Sequence, residues 1–143
     1  MSHLSPVELP SVGVPDALPT LPLDEYEQRL QQAVDRMDQA GYDLLAIYGD
    51  REHFATLTYL TGFDPRFEEA LLILDRQGNR TLLVGNECLG YLPDPALNCR
   101  AVLHQDFSLL GQDRSKSPPL RTILQETGIG PGKTIGCVGW KYF

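Results

Sequence analysis

Basic residues are scarce in this sequence, and it has no long hydrophobic run. Its 143 residues include 12 Lys and Arg against 19 Asp and Glu, which gives a net charge of −7. Nucleic acids and anionic membrane surfaces are bound through a basic footprint, so this charge argues against both as partners. No apolar stretch reaches the length of a membrane span. The start does not resemble a secretory signal either, because prolines interrupt it and the first basic residue is Arg29.

Cysteine and histidine are also sparse, and neither is arranged for chemistry. The sequence has three cysteines, an odd number without a CxxC pair: Cys88, Cys99 and Cys137. This predicts reduced thiols and a cytoplasmic protein. The histidines belong to no HExxH motif, and no serine lies in a GxSxG elbow. The sequence therefore predicts no catalytic residue and no metal ligand within this chain.

Residues 1–22 contain five of the eleven prolines, which predicts an extended arm rather than a helix or a central strand. The stretch "LDEYEQRLQQAVDRMDQAG" then predicts a helix, with Asp24 as its N-cap, Glu27 completing a capping box and Gly41 ending it. The continuous apolar run "YDLLAIYG" follows, which is typical of a central strand covered on both faces.

The rest of the chain predicts further helices and strands. We expect Asp50 to cap a second helix that ends at Gly62, and "EEALLILDRQGNRTLLVG" to form an antiparallel hairpin around Gly78. "NECLGYL" predicts a short helix and "CRAVLH" a strand. Ser117 is the expected N-cap of a third helix, and "TIGCVGW" is the last predicted strand. This alternation predicts an α/β domain with a mixed sheet.

The stretch "GIGPGKT" has part of a phosphate-binding motif. A P-loop needs Gly, four intervening residues and then Gly-Lys-Ser/Thr, after a strand and opening a helix, but Thr127 occupies the position of the first Gly and the flanking patterns are reversed. We therefore expect a turn, with Gly128 closing the third helix. A nucleotide-binding domain remains a third hypothesis that depends on this motif alone.

One loop, within "YLTGFDPRFEEALLIL", combines aromatic and charged residues between a helix end and a strand, where binding residues often project. Its candidate site residues are Phe63, Asp64, Arg66 and Phe67. Arg66 could hold a carboxylate bidentately while a phenylalanine walls a pocket. The structural alternative is a tight turn in which Asp64 pairs with Arg66 and the phenylalanines belong to the core.

The sequence resembles the N-terminal domain of the creatinase and aminopeptidase P (Xaa-Pro peptidase) family. The resemblance lies in the order of three stretches, "RLQQAVDRMDQAGYDLLAIYGDREHFATLTYLTGF", "ALLILDRQGNRTLLVG" and "PGKTIGCVGW". In that family a helix and a strand lead to a YLTGF element, a hairpin follows, and an IGxxGW-like strand comes near the end of the domain. The match spans residues 24–143 and leaves the proline-rich arm outside it.

The resemblance implies a three-layer α/β domain over residues 23–143, with a mixed sheet flanked by helices in a ribonuclease-H-like topology. It further implies a pita-bread catalytic domain downstream, which would hold two divalent ions (Mn, Co or Zn) through two Asp, one His and two Glu. The chain would then be a fragment without metal ligands of its own.

By the same resemblance, the domain serves dimerisation and shapes the substrate pocket, and the 63–67 loop occupies about the place where such residues project. The implied partners are a second copy, the chain's own catalytic domain and a proline-containing peptide. The alternative is a stand-alone binding or protein-interaction module, because some pita-bread relatives lack catalysis and act as scaffolds.

Overall fold

Three α-helices and five strands follow one another along residues 3–17 and 19–139, the part of the chain that the computed structural model describes. In chain order they are α1 (Leu23–Ala40), β1 (Leu44–Gly49), α2 (Ala55–Thr61), β2 (Ala70–Asp75), β3 (Arg80–Val84), β4 (Cys99–Leu103), α3 (Leu120–Glu126) and β5 (Ile135–Val138). Short 3-10 turns add Cys88–Gly90, Pro95–Leu97 and Gln105–Phe107. The last residue of the predicted strand "TIGCVGW", Trp140, lies outside the described part.

The strands form one mixed sheet in the order β4-β3-β2-β1-β5. β1 and β3 each run antiparallel to β2, whereas β4 lies parallel to β3 and β5 parallel to β1. The predictions of a mixed sheet, of a hairpin and of a central position for β1 are confirmed. The hairpin turn forms because Asp75 Oδ1 accepts the amides of Gln77 and Asn79, both at 2.9 Å, while Gly78 takes a φ of 81°.

Helices cover both faces of the sheet, as the predicted three-layer architecture requires. α1 and α2 pack on one face, where Leu57 and Leu60 meet Ile47, Leu72 and Leu82. On the other face Ile123 of α3 packs with three strand residues, Leu44, Ile73 and Leu83. Because neighbouring residues of a strand point to opposite faces, Leu72 and Ile73 supply both layers.

The predicted helix starts are wrong in all three cases. α1 begins at Leu23 after Pro22, whose φ of −61° and ψ of 150° make it the N-cap, and no side chain caps it. α2 begins only at Ala55, because Asp50 Oδ1 instead accepts the amides of Glu52 and His53 in a turn after β1.

α3 begins at Leu120 rather than after Ser117. Pro118 precedes Pro119, and a residue before proline is driven out of the helical region. Pro119 is therefore the N-cap, with a ψ of 138°. The predicted helix ends, in contrast, are confirmed at Gly41, Gly62 and Gly128, which have φ values of 75°, 70° and 86°.

The GPGKT stretch forms the turn between α3 and β5. The Lys133 amide donates to Gly130 O at 3.3 Å, and Lys133 Nζ lies 3.5 Å from Asp43 Oδ1. The Thr134 amide donates to the other oxygen of Asp43 at 2.8 Å. These contacts join the start of β5 to the start of β1. The motif follows a helix and precedes a strand, which is the reverse of a P-loop.

One edge of the sheet collects most of the chemically interesting residues. β1, β3, β4 and β5 run in one direction, so their carboxyl ends share this edge with the start of β2. The segments that follow β3 and β4, and the 63–67 loop that precedes β2, therefore lie there. In α/β sheets, ligands bind outside the carboxyl ends of the strands.

Candidate functional site

The 63–67 loop holds its four candidate residues in different environments. Phe63 is 2% exposed and belongs to the core beneath α2, whereas Phe67 is 48% exposed. Asp64 Oδ1 accepts the amide of Arg66 at 2.7 Å, which closes a tight turn. The turn and one core phenylalanine match the structural alternative, whereas Arg66 and Phe67 face outward, and their role in binding stays a prediction.

Arg66 combines a costly backbone conformation with a free side chain. Its φ of 56° lies in the left-handed region, which a residue with a Cβ rarely adopts. Its guanidinium carbon lies 5.4 Å from the centre of the Tyr91 ring, in a cation–π arrangement. Within residues 3–17 and 19–139, Arg66 forms no ion pair, so its charge remains available to a ligand.

A groove of about 570 Å³ opens between this loop and the segment that follows the Cys88–Gly90 turn. We call it the aromatic groove, and it is lined by Tyr26, Phe63, Asp64, Arg66 and Tyr91, by residues 92–94, and by residues 19–21 of the arm. The rings of Phe63 and Tyr91 stack with centroids 6.0 Å apart and planes 16° apart. Stacked rings beside one cation suit a ligand with a flat apolar part and a negative group.

A buried carboxyl group supports the loop from below. Glu68 is 2% exposed, and its oxygens accept the amides of Glu87 at 3.2 Å and Cys88 at 3.0 Å. Gly85 makes room for it, because a Cβ there would lie 2.6 Å from Glu68 Oε2. Glu68 thus joins the segment after β3 to the loop before β2 and fixes the two walls of the groove against each other.

Cys88 and Tyr91 complete this support as neutral groups. Their Sγ and Oη atoms lie 3.1 Å apart, and both approach the carbonyl oxygen of Pro65. Burial raises the pKa of the Cys88 thiol to about 12, and it also raises the pKa of Tyr91. The thiol therefore stays protonated at neutral pH and positions the loop instead of acting as a nucleophile.

Replacing Arg66 with glycine should test whether the loop stores strain. Glycine adopts positive φ without penalty, so Arg66→Gly should raise the free energy of unfolding by about 0.5–1 kcal/mol, whereas Arg66→Ala keeps the strain and should not. Urea denaturation followed by circular dichroism measures both variants. Asn98→Gly is the control, because Asn98 has a φ of 48° but asparagine tolerates this region better. If Arg66→Gly were less stable than the parent chain, the loop would not be strained.

A second polar cluster lies at the same edge of the sheet, after β3 and β4. Gln105 Nε2 donates to Asn86 Oδ1 at 2.9 Å, and Gln105 Oε1 accepts the amides of Lys116 and Ser117. The Asn86 amide donates to Ser108 Oγ at 2.9 Å. These donors and acceptors form hydrogen bonds with one another. The cluster therefore holds the 108–118 loop in place, and its polar groups are not free to bind a ligand.

His104, beside this cluster, should make stability depend on pH. Burial lowers its pKa, and the exposed carboxyl of Asp106, 3.8 Å from Nε2, opposes this only weakly. In the unfolded chain His104 binds a proton near pH 6.5, whereas the folded state binds it only at lower pH. The contribution of neutral His104 to the free energy of unfolding is therefore fully present above pH 6.5 and is lost as the pH falls below it. Unfolding free energies from pH 8 to 5 should therefore decline, and His104→Phe should flatten the decline. An equally steep decline in the variant would rule out His104 as its cause.

Among the described residues, no group of three or more His, Cys, Asp or Glu side chains could hold a metal ion. His53 Nδ1 lies 3.2 Å from Asp50 Oδ1, but no third donor joins them within that part of the chain. No helix in residues 3–17 or 19–139 is both long and apolar enough to cross a membrane.

No protein-family model and no curated protein matches this chain in sequence. Solved structures do match it in fold. The N-terminal domain of FACT complex subunit SPT16 from Cicer arietinum (chickpea) superposes over 86% of this chain, with a TM-score of 0.55 and 14% identity. Neighbours also include dipeptidase PepE from Mycobacterium ulcerans (TM-score 0.46, 18% identity, 81% of this chain) and an N-terminal, creatinase/prolidase-like domain from Corynebacterium diphtheriae (TM-score 0.40, 15% identity, 82% of this chain).

The chain spans 35% of the PepE chain and 31% of the SPT16 chain, but 98% of the domain from Corynebacterium diphtheriae. At identities of 14–18% the likeness concerns the fold and not the site. The mixed-sheet α/β domain inferred from the sequence is thus confirmed.

The sequence indicated Phe63, Asp64, Arg66 and Phe67, and the structure brings the first three to the aromatic groove while Phe67 is not among its lining residues. Sequence reasoning missed Tyr26 and Tyr91. Tyr91 carries a weak signal, since it follows Cys88 by three residues in a predicted short helix. No local signal points to Tyr26, which lies on the apolar stripe of α1.

Proposed function

We propose that this chain is a non-catalytic domain of a metal-dependent Xaa-Pro peptidase or creatinase-like hydrolase, where it shapes the substrate pocket and contributes to a dimer. The observation that carries the proposal is Arg66, which is held at a φ of 56° above Tyr91 on the rim of the aromatic groove. Backbone strain of this kind persists where a function requires it. The family resemblance of residues 24–143 supplies the reaction class.

The groove offers chemistry that suits a proline-containing peptide. A pyrrolidine ring is apolar and can pack against the partly exposed ring of Tyr91, on which the buried ring of Phe63 stacks. The Arg66 guanidinium on the rim can receive a peptide carboxylate through two parallel hydrogen bonds. Two divalent ions (Mn, Co or Zn) would be held by a catalytic domain outside these residues, where they would activate the attacking water. This domain would bind and orient the peptide.

The proposal predicts that residues 1–143 alone do not cleave peptides. Incubating the purified chain with a Xaa-Pro dipeptide and Mn²⁺ or Co²⁺ should give no turnover, and robust metal-dependent cleavage would refute the assignment.

In the longer gene product, Arg66→Ala should raise KM about tenfold with little change in kcat, because it removes peptide binding and no reacting group. Arg121→Ala, an exposed arginine on α3, is the matched control and should change neither constant.

A stand-alone interaction module is the second candidate, and the SPT16 superposition favours it. That neighbour is a subunit of a complex by its description, and among the three structures compared above it alone has a TM-score over 0.5. The gene sequence beyond codon 143 separates the two candidates. A following domain with the Asp, Asp, His, Glu, Glu set supports the peptidase, whereas a domain without those ligands, or a stop codon, supports the module.

A further inference from the structure

The first part of the arm has a three-residue pattern of apolar side chains. A polyproline II helix has three residues per turn, so residues three apart share one ridge. In residues 4–12, "LSPVELPSV", one ridge carries Leu4, Val7 and Pro10, and a second carries Pro6, Leu9 and Val12. The third ridge is polar and consists of Ser5, Glu8 and Ser11. Such a segment has an apolar face that requires a partner surface.

Nothing among the described residues of its own chain covers this face. Every residue from 3 to 17 is exposed, and the leucines and valines of residues 4–12 are between 78% and 103% exposed. Five exposed aliphatic side chains in fifteen residues are unusual for a solvated tail, which is normally poor in them.

The aromatic groove has the properties that bind such a segment. Polyproline II peptides dock on grooves lined by aromatic rings, because the extended backbone has little conformational entropy left to lose. Here Tyr26, Phe63 and Tyr91 line the groove, and Leu92 and Pro93 extend its apolar wall. Its volume of about 570 Å³ lies within the range of peptide and ligand pockets.

The arm and the groove each offer one charged group that suits the other. Residues 4–12 contain one acidic residue, Glu8, and no basic residue. The groove has one cation, Arg66, with no ion pair among the described residues. The groove also has two acids, Asp64 and Asp94, whose carboxylates accept the amides of Arg66 and Ala96 and keep their negative charge. An incoming carboxylate thus meets an unpaired guanidinium.

The connection to the domain disfavours docking of an arm in its own groove. Residues 19–21 already form one wall of the groove, so the preceding chain would have to reverse direction to enter it. Pro15 and Pro19 lie in this connection, and each fixes its own φ and drives the residue before it towards an extended conformation. Nine residues of polyproline II reach about 28 Å, far enough to cross to a neighbouring molecule.

We propose that residues 4–12 of one copy bind in the aromatic groove of a second copy, with their apolar ridges on Tyr91 and Leu92 and with Glu8 paired to Arg66. Residues 4–12 contain two Xaa-Pro steps, Ser5-Pro6 and Leu9-Pro10, so this segment belongs to the ligand class that the groove is proposed to receive. The inference deepens the proposed function and rests on it, since it names what holds the dimer together and what competes for the groove.

Charge reversal in the full chain tests the pairing. Sedimentation velocity should show concentration-dependent dimerisation, weakened at least about tenfold by Glu8→Arg or by Arg66→Glu and restored to within about threefold by the double reversal. Leu9→Asp, on an apolar ridge, should weaken the dimer similarly, whereas Val14→Asp, an exposed position outside residues 4–12, should not. A monomer at all concentrations, or a dimer indifferent to Arg66→Glu, would overturn the inference.

Mixing two defective chains tests whether the arm crosses between copies. Leu9→Asp spoils the arm and Arg66→Glu spoils the groove, so the mixture should form a heterodimer in which one intact arm meets one intact groove. If each arm instead docked in the groove of its own chain, the two variants would not associate, and that result would overturn the proposal. If the mixture did not associate but Arg66→Ala still raised KM in the longer protein, the dimer proposal would fail and the proposed function would stand. If the mixture associated but Arg66→Ala left KM unchanged, the proposed function would fail and the dimer proposal would stand.

Discussion

Replacing Phe63 with alanine should lower the free energy of unfolding by about 3–5 kcal/mol, the largest effect expected in this chain. Phe63 is 2% exposed, packs in the core between α2 and the sheet, and stacks on Tyr91. Its removal leaves a cavity and exposes the floor of the aromatic groove. The loss is a large fraction of the 5–15 kcal/mol that stabilises a typical domain. Urea denaturation followed by circular dichroism measures it.

Phe67→Ala is the matched control for this prediction. The same side chain is removed four residues away, but Phe67 is 48% exposed, so stability should change by no more than about 0.5 kcal/mol. Equal effects at the two positions would mean that Phe63 is not the buried member of the pair. Phe63→Leu, which keeps most of the volume, should recover more than half of the lost stability.

Gly85→Ala should destabilise the domain by about 3 kcal/mol, although it adds one methyl group. That methyl carbon would lie 2.6–2.8 Å from the carboxyl atoms of Glu68. The carboxyl ends a flexible side chain, but it cannot yield easily, because it is buried and moving it would leave the Glu87 and Cys88 amides without an acceptor. Thermal or urea denaturation measures the change.

Two further variants identify the cause. Gly90→Ala should be neutral, because nothing lies within 4 Å of a Cβ at Gly90. In a Glu68→Ala background, Gly85→Ala should cost less than about 1 kcal/mol, since the clash has gone. If the losses of stability from Gly85→Ala and Glu68→Ala were additive in the double variant, the close approach to Glu68 would not explain the effect of Gly85→Ala.

Much of the fold could be predicted because its signals are local. The apolar run of β1, the Gly78 turn and the glycines that end the helices are short stretches whose residues dictate the backbone. The helix starts were wrong for a local reason of another kind. Asp50 and Ser117 are good caps in isolation, but a turn uses Asp50 and the Pro118-Pro119 pair delays α3.

The site was harder to predict, because it depends on contacts between distant segments. Arg66 was found from its loop position, but its partner Tyr91 lies on another segment and reaches it only through the pairing of β2 with β3. Glu68 carries no signal in the sequence beyond its acidic neighbour Glu69. Its burial against Gly85 depends on how the sixteen residues between them fold into the β2–β3 hairpin, which no local pattern reports.

The parallel pairing of β1 with β5 has a consequence for biosynthesis. Leu44 pairs with Ile135, so the outer side of an early, strongly apolar strand is covered by the last strand of the sheet. During translation the backbone amides and carbonyls on that side stay unpaired until residue 138 has left the ribosome. An open apolar strand edge recruits other strands, so the nascent chain should depend on chaperones over this interval.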